Sequence, residues 1–425
     1  MAEHIDSYYA ATAHKKDARM PLRGAINADV CVIGGGFTGV NAALELAQRG
    51  VNVVLLEAVK IGFGASGRNG GQIINGYSRN LDTIASRYGA EAGRKIGAMA
   101  REGGEIIRAR AAQYNIQCDL KPGNIFAAFT SAQMRGLARH VKIWDEFGFK
   151  NGFELLDKPA LQRHVKTERY AGGLIDHYGG HVHPLNLVQG EAAAFESLGG
   201  VIYENSPVTA LHMGDPVRVK TAQGEVSAKT VLVCGNAYLH GVLPELEGRI
   251  MPVSTQVLAT EPLGEDAAAL LPTDMCVEDC NYFLDYFRRT ADNRILYGGG
   301  TVYGGQDPAS VRAKILPLMH KTFPTLKDAR VDFAWNGTFA LTLTRFPQIG
   351  RLAPNVYFSH GDSGHGVTTT HLLARLLAEA ATGNTQRFDI FARLPYFPFP
   401  GGRALRVPLT IAGSWWYRAR DRLGL

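Results

Sequence analysis

Apolar runs broken by glycine set the pattern of the first sixty residues. Asp29-Val-Cys-Val-Ile33 has the length and composition of a buried strand. Gly34-Gly-Gly-Phe-Thr-Gly39 follows at once. Val40 to Arg49 then places Ala43, Leu44 and Ala47 at helical spacing, and Gly50 ends that helix. Val51-Asn-Val-Val-Leu-Leu56 is the next predicted strand. Strand, glycine turn, helix and strand thus fit in about 30 residues, the size of a parallel crossover unit.

The pattern then changes. Helical stretches near 86–116 and 131–147 flank a β-like segment at Gly123-Asn-Ile-Phe-Ala-Ala-Phe129. Gly179 to Leu187 leads into a helix of small residues, and Val201-Ile-Tyr203 reads as a strand. Val208 to Val233 reads as strand, turn and strand, closing on Thr230-Val-Leu-Val-Cys-Gly-Asn-Ala-Tyr238. A second set of strands spans about 251–344, including Tyr282-Phe-Leu-Asp-Tyr-Phe287 and Arg294-Ile-Leu-Tyr297. Last come the strand Asn355 to His360, a glycine-rich turn and a helix over Thr369 to Thr382. This order predicts two interleaved domains.

Composition narrows the class. A chain of 425 residues exceeds the size at which single cores stop growing. Its 46% apolar and 20% charged residues are those of an ordinary globular protein. The net charge of +6 includes no long Lys or Arg block, which argues against a nucleic-acid footprint. No apolar run approaches the ~20 residues that span a bilayer, and the N-terminus has no apolar signal-peptide core. Of five cysteines, Cys31 and Cys234 sit in apolar runs, and Cys118 stands apart. Cys276 and Cys280 are the one close pair and lack partners at zinc spacing. A reduced cytoplasmic protein without a metal is expected.

Gly34, Gly36 and Gly39 form G-x-G-x-x-G between a predicted strand and helix. The first glycine permits the tight turn, the second lets a pyrophosphate approach, and the third lets helix and strand pack closely. Phe37 and Thr38 open the helix, whose N-terminus carries about half a positive charge toward the phosphates. Glu57 ends the second strand 18 residues after Gly39, where a carboxylate can accept bonds from ribose hydroxyls. These features predict a dinucleotide site but fit NAD and FAD equally. Two further glycine-rich stretches favour a flavin: Ile61-Gly-Phe-Gly-Ala-Ser-Gly-Arg-Asn-Gly-Gly71 and Gly361-Asp-Ser-Gly-His-Gly-Val-Thr-Thr-Thr370. A second helix start of this kind can direct N–H groups at the flavin N1–C2=O edge.

Asp29 to Glu57, Gly62 to Gly71, Thr230 to Ala237 and Ser363-Gly-His-Gly366 resemble the D-amino-acid oxidase superfamily of flavoproteins. The similarity covers most of residues 28–390 in the right order. Ser7-Tyr-Tyr-Ala-Ala11, Ile61 to Gly71, Gly179 to Leu187, Cys276-Val-Glu-Asp-Cys-Asn-Tyr282 and Phe397-Pro-Phe-Pro-Gly-Gly-Arg403 resemble, within it, the bacterial enzymes that oxidise gamma-glutamylated polyamines. The resemblance implies an α/β (α+β overall) architecture, a Rossmann-type FAD-binding domain interleaved with an antiparallel-sheet substrate domain. The FAD domain would take 28–82, 172–250 and 345–392, and the substrate domain 83–171 and 251–344, with extensions at 1–27 and 393–425. It implies oxidation of the terminal amine of a compound such as gamma-glutamylputrescine to an aldehyde. Ammonia and hydrogen peroxide would be released, with molecular oxygen as acceptor.

By the same resemblance, FAD would be held by Gly34, Gly36, Phe37, Thr38, Gly39, Glu57 and Ala58 of the first unit. Gly64, Ala65, Ser66, Arg68, Asn69, Gly70, Gly71 and Gln72 follow in the second glycine stretch. Val208 and Gly235 complete the middle of the site, and Gly364, His365, Gly366, Val367 and Thr368 its closing turn. Several relatives tether flavin through a Cys or a His. Here Trp335-Asn-Gly-Thr-Phe-Ala340 and Arg68-Asn-Gly-Gly-Gln72 contain neither, so non-covalent FAD is expected. Relatives that oxidise small amino acids clamp the carboxylate beside the ring with an Arg and a Lys. Thr368 stands at the Lys position and Gln72, Ile73 and Ile74 near the Arg, which points to a longer amine.

The amine must be neutral when hydride leaves its carbon. With a pKa around 10, deprotonation at neutral pH costs about 4 kcal/mol, which an apolar pocket reduces. Tyr282, Phe283, Tyr286 and Phe287 would place two aromatics on each face of one strand, as a pocket wall or as sheet core. Tyr282, Tyr286 and His365 are the candidate catalytic residues, with His365 bonding the ring or fixing its loop. His181 and His183 read as a structural pair rather than a metal pair. Arg345 could face a glutamyl carboxylate, the flavin or solvent. The segment Ile411 to Leu425 mixes aromatics with arginines, as a membrane-surface helix does, and is expected to fold back on the protein instead. Nothing in the sequence sets an oligomeric state. Rival readings are an amine dehydrogenase feeding a quinone and a flavin-binding protein without turnover.

Overall fold

The computed structural model describes residues 3–14, 18–239, 241–304 and 310–423, with side chains through Tyr417. Among them, the strands form two sheets, of eight and nine strands. Gly24–Ile33 lies near the centre of the first, between Val53–Leu56 and Gly224–Val233, and both pairings are parallel. Val201–Tyr203 and Val356–His360 extend the parallel order on either side. All four residues of Val53–Leu56 are buried, which explains why the strand reads as an unbroken apolar run.

Several boundaries differ from the sequence reading, and the stretch read as helical near 86–116 is three helices, Leu81–Tyr88, Ala90–Gly97 and Glu102–Gln113. The helices Phe37–Ala47 and Gly366–Ala381 each start three residues early, because glycine- and threonine-rich first turns hide the helical period. The span from Val208 to Val233 holds three strands rather than two. Val208–His212, Val217–Thr221 and Gly224–Val233 form an antiparallel meander, and the Thr221 hydroxyl accepts from the Gly224 N–H (3.0 Å) at its last turn.

The second sheet runs Val331–Leu341, Met251–Thr260, Ile295–Tyr303, Tyr286–Arg289, Cys276–Asp279, Lys121–Ala128, Gly172–His181 and Gln72–Ile73. It is antiparallel except where Cys276–Asp279 meets Lys121–Ala128. Gly172–His181 and Gln72–Ile73, grouped on sequence with the nucleotide unit, therefore hydrogen-bond into the other sheet. The run Tyr282 to Phe287 is not one strand. Asn281–Phe283 turn, with the Asn281 N–H donating to the Asp279 carboxylate (3.0 Å), and the strand begins at Tyr286.

Both ends of the chain pack onto this frame. Ser7 caps the short helix Tyr8–Thr12, and Tyr9 is buried against His183 and Trp335. The helix Gly402–Leu423 lies against Ile295–Tyr303 and stacks Tyr417 on Tyr282, leaving Trp415 and Trp416 exposed. Side chains from Arg418 onward lie outside the described residues. His181 bonds the Asp274 carbonyl, whereas His183 caps the helix Pro184–Ser197 by accepting from the Asn186 N–H. Among the described residues no cluster of three or more His, Cys, Asp or Glu could hold a metal. Among them, too, no helix is long and apolar enough to cross a membrane.

Candidate active site

The first glycine turn is shaped by contacts that a side chain would destroy. Gly34 has φ +108°, and a Cβ on Gly39 would stand 1.9 Å from the Gly34 carbonyl oxygen. The helix Phe37–Ala47 can therefore begin directly beneath the end of Gly24–Ile33, and its N-cap Gly36 supplies no capping side chain. Orphan N–H groups at such an end favour an anion. Ser66 takes one of them, its hydroxyl accepting from the Phe37 N–H at 2.9 Å. Glu57 is fixed by its backbone surroundings: one carboxylate oxygen accepts from Gly35 N–H (2.6 Å), the other from Val59 N–H (2.8 Å). Burial raises its pKa above the usual carboxylate range while those bonds pull it back.

The second glycine stretch is held from below. Arg288, 1% exposed, donates to the Gly70 carbonyl (2.8 Å) and to the Val182 carbonyl (3.0 Å). Trp335 donates its indole N–H to the Arg68 carbonyl (2.9 Å), and the Arg68 guanidinium lies 4.5 Å from the Phe63 ring centre. Asn69 closes the turn on itself, donating to the Ala65 and Ser66 carbonyls and accepting from Gly71 N–H. Gln72 donates to the Val277 carbonyl (2.9 Å), tying this stretch to the second sheet.

The closing turn supplies another helix start. Asn236 donates to Asp362 (2.8 Å) and accepts from Gly361 N–H (2.9 Å), while Asp362 also accepts from Gly364 N–H (3.0 Å). His365 is the N-cap of Gly366–Ala381 but makes no capping bond. Burial pushes its pKa down to about 4, so it is neutral at physiological pH. Its buried Nε2 has no hydrogen-bond partner. The Thr368 hydroxyl is spent on the Ile74 carbonyl (2.6 Å), leaving the backbone of the first turn to face outward.

These parts surround one cavity of ≈ 500 Å³. Every cofactor or catalytic residue expected from sequence lines it except Gly39 and Gly71, which act behind its wall. Of the four aromatics, Tyr286 faces the cavity and Phe287 turns into the core, stacked on Tyr297. Tyr286 lies against Gly70, where a Cβ would come within 2.6 Å of its ring. Tyr282 lines the cavity from a turn, stacked at 3.8 Å on Tyr417, with the Arg345 guanidinium 4.1 Å from its ring centre. Arg345 itself sits at φ +57°, and among the described residues no acid pairs with it. Sequence reasoning missed Asn236, Thr255, Phe339 and Glu278, all in the wall. Burial pushes the Glu278 pKa up to about 7.

The donor set fits FAD. Two helix starts without side-chain caps open on the same cavity, a backbone-held carboxylate stands beside the first, and an orphaned imidazole nitrogen stands beside the second. Gly34 to Thr38 with Glu57 would hold the ADP half, and Arg68 to Gln72 with Gly364 to Thr368 the flavin half.

Comparison with known proteins agrees. The chain is 54% identical over 427 residues to the gamma-glutamylputrescine oxidoreductase of Escherichia coli, covering 100% of both chains. It is 39% identical over 428 residues to a probable oxidoreductase of Haemophilus influenzae, covering 99% of this chain and 98% of that one. Among solved structures, glycine oxidase from Geobacillus kaustophilus superposes with a TM-score of 0.72 at 22% identity, covering 87% of this chain and 99% of that one. L-proline dehydrogenase from P. horikoshii gives 0.72 at 21%, covering 85% and 94%. These two show the fold alone. Residues 29–380 match the family of FAD dependent oxidoreductases, and the chain is an enzyme of that family.

Proposed function

We propose that this enzyme oxidises the free amine of gamma-glutamylputrescine, or of a closely similar gamma-glutamylated polyamine, to the aldehyde. The observation that carries this reading is the 54% identity over the whole of both chains to an enzyme named for that substrate. The cavity supports it. Its wall offers Tyr282, Phe283 and Tyr286 to an alkyl amine, and Arg345, without an acidic partner among the described residues, to a distant carboxylate. FAD, when bound, supplies the hydride acceptor. The chain's own work is to orient the amine carbon, exclude water and favour the neutral amine, which an aromatic wall does by desolvation.

Oxygen is the proposed acceptor, giving hydrogen peroxide, and ammonia leaves after hydrolysis of the imine. The reaction is assigned to the cytoplasm, where the five unpaired thiols stay reduced. A peroxide-release screen tests the reading with gamma-glutamylputrescine, free putrescine, gamma-glutamylated spermidine and sarcosine. The first is expected to win, and a win for free putrescine or sarcosine overturns the assignment. Flavin reduction without peroxide would favour a dehydrogenase.

A further inference from the structure

One acid in the cavity wall has nothing to bind. Glu278 lies on Cys276–Asp279, directly opposite Tyr286 in the antiparallel pair, so both side chains leave the same face of the sheet. Tyr286 in turn packs on Gly70, and the Gln72 amide donates to the carbonyl of Val277, next to Glu278. The carboxylate thus stands beside the glycine stretch assigned to the flavin half. The cavity's other acids are engaged: Glu57 by Gly35 and Val59, Asp362 by Gly364 and Asn236. Among the described residues no hydrogen bond or ion pair reaches the Glu278 carboxylate, although its backbone pairs in the sheet. A half-buried carboxylate among aromatics is unfavourable unless a cation or a proton neutralises it.

We propose that Glu278 receives the ammonium end of the amine substrate and removes its proton before oxidation. This rests on the amine-oxidase reading above and adds the residue that recognises the reacting end. On arrival R–CH₂–NH₃⁺ pairs with the carboxylate. One N–H bond then breaks and one O–H bond forms, giving R–CH₂–NH₂ and a neutral Glu278 carboxyl, with no electron transferred. The cavity favours that neutral pair because desolvation penalises both charges. With Arg345 taking the far carboxylate, the site suits a long molecule, positive at its reacting end and negative at the other.

The groups around Glu278 leave its titration clear. On its own strand Cys276, and just beyond it Cys280, have thiols raised by burial. Tyr286 opposite is raised by burial as well, and His365 across the cavity is held near 4. Tyr282 and the fixed charges of Arg345 and Arg68 also line the cavity, and Arg288, on the same sheet face two residues beyond Tyr286, directs its guanidinium to the Gly70 and Val182 carbonyls. Glu278 itself titrates at about 7, so the binding of a cationic ligand should strengthen as pH rises through that value.

The test uses the FAD-loaded enzyme and Glu278→Gln, with two ligands that cannot be oxidised. One is a gamma-glutamyl diamine whose amine carbon carries two methyl groups, which keeps the positive charge. The other is the gamma-glutamyl n-pentylamide, which replaces the ammonium by methyl. Calorimetry should show the cationic ligand weakened about 30-fold or more in the variant, as for a lost buried charge partner. The neutral ligand should bind both proteins within twofold, with FAD content unchanged. The rise in cation affinity from pH 6 to 8 should disappear in the variant. Equal effects on both ligands, or no effect on either, overturn the proposal. Wild-type turnover of gamma-glutamylputrescine separates the two readings: its absence overturns both, and its presence with unaltered cation binding by Glu278→Gln overturns this one alone.

Discussion

At the scale of single residues, two glycines do different work and should fail differently. A Cβ on Gly39 would stand 1.9 Å from a backbone oxygen, which cannot yield without reshaping the turn. A Cβ on Gly70 would meet only the Tyr286 ring, at 2.6 Å, and a ring can tilt. Gly39→Ala is therefore expected to purify without flavin, read from the ratio of 450-nm to 280-nm absorbance (roughly the oxidised-flavin and protein bands). Gly70→Ala should keep its flavin and lose kcat/KM. His183 gives a pH prediction. Its Nδ1 accepts from the Asn186 N–H, and burial lowers its pKa to about 3. The unfolded chain, with a histidine pKa near 6.5, binds a proton that the folded state refuses. This histidine's contribution is therefore complete above about 6.5 and lost as pH falls toward 3. His183→Asn keeps a capping side chain without that proton. Wild type should lose stability relative to this variant between pH 7 and 4 in urea denaturation.

Legibility in the sequence followed locality. Gly34, Gly36, Gly39 and Glu57 could be assigned because strand, turn, helix and strand are consecutive, and each step leaves its own period. Glu278 could not. Its meaning depends on strand parity and on Gly70, some two hundred residues away, and within Cys-Val-Glu-Asp-Cys it looks like any polar interruption. The aromatic run from Tyr282 misled for a similar reason. The Asp279 carboxylate captures the Asn281 N–H and turns the chain, so alternation that suits a strand is used partly in a loop.

At the scale of elements, three helices meet on one buried network. Glu191 accepts from Asn41 (2.8 Å) and pairs with His371 (2.9 Å), both Glu191 and His371 being wholly buried. This joins Phe37–Ala47, Pro184–Ser197 and Gly366–Ala381, so the two helix starts that open on the cavity are referenced to one carboxylate. Glu191→Ala leaves the buried His371 Nε2 without its partner and should cost about 1–3 kcal/mol in chemical denaturation, while Asn41 keeps its bond to the Phe37 carbonyl. The C-terminal helix acts at the opposite wall, where Tyr417 backs Tyr282. Stacked aromatic pairs contribute about 0.5–1.5 kcal/mol beyond burial. Tyr417→Ala should therefore raise KM for the amine several-fold in steady-state assays and leave flavin content unchanged. An unaltered KM would show the stack to be without consequence for the wall.

At the scale of the molecule, the cofactor cavity is the seam between two sheets. The chain crosses it at Gln72–Ile73, returns by Gly172–His181, and leaves and re-enters again around 251–341. The excursion around 251–341 matches the segment read from sequence as 251–344, but the crossings at Gln72–Ile73 and Gly172–His181 were not visible there, because a strand carries no local mark of the sheet it will join. FAD bridging the seam should stabilise both halves together: at a hundredfold excess over its Kd the gain is about 2.7 kcal/mol. Non-covalent attachment, the expectation from sequence, would make that gain removable. Acid precipitation is expected to leave the yellow colour in the supernatant, and colour in the pellet would reveal a covalent link.

The interleaving also has a meaning in time. The central parallel strand, Gly24–Ile33, emerges early from the ribosome but pairs with Gly224–Val233, whose other neighbour is Val356–His360. Tyr9 packs on Trp335, which is made long after it, and Tyr417 stacks on Tyr282, which is made long before it. No nascent chain that stops before the Gly366 helix can present a finished cavity, because the cavity's lining runs from Ile33 to Thr370. Flavin capture must therefore wait for the Gly366 helix, and a chain stalled before it should emerge colourless whatever the supply of FAD.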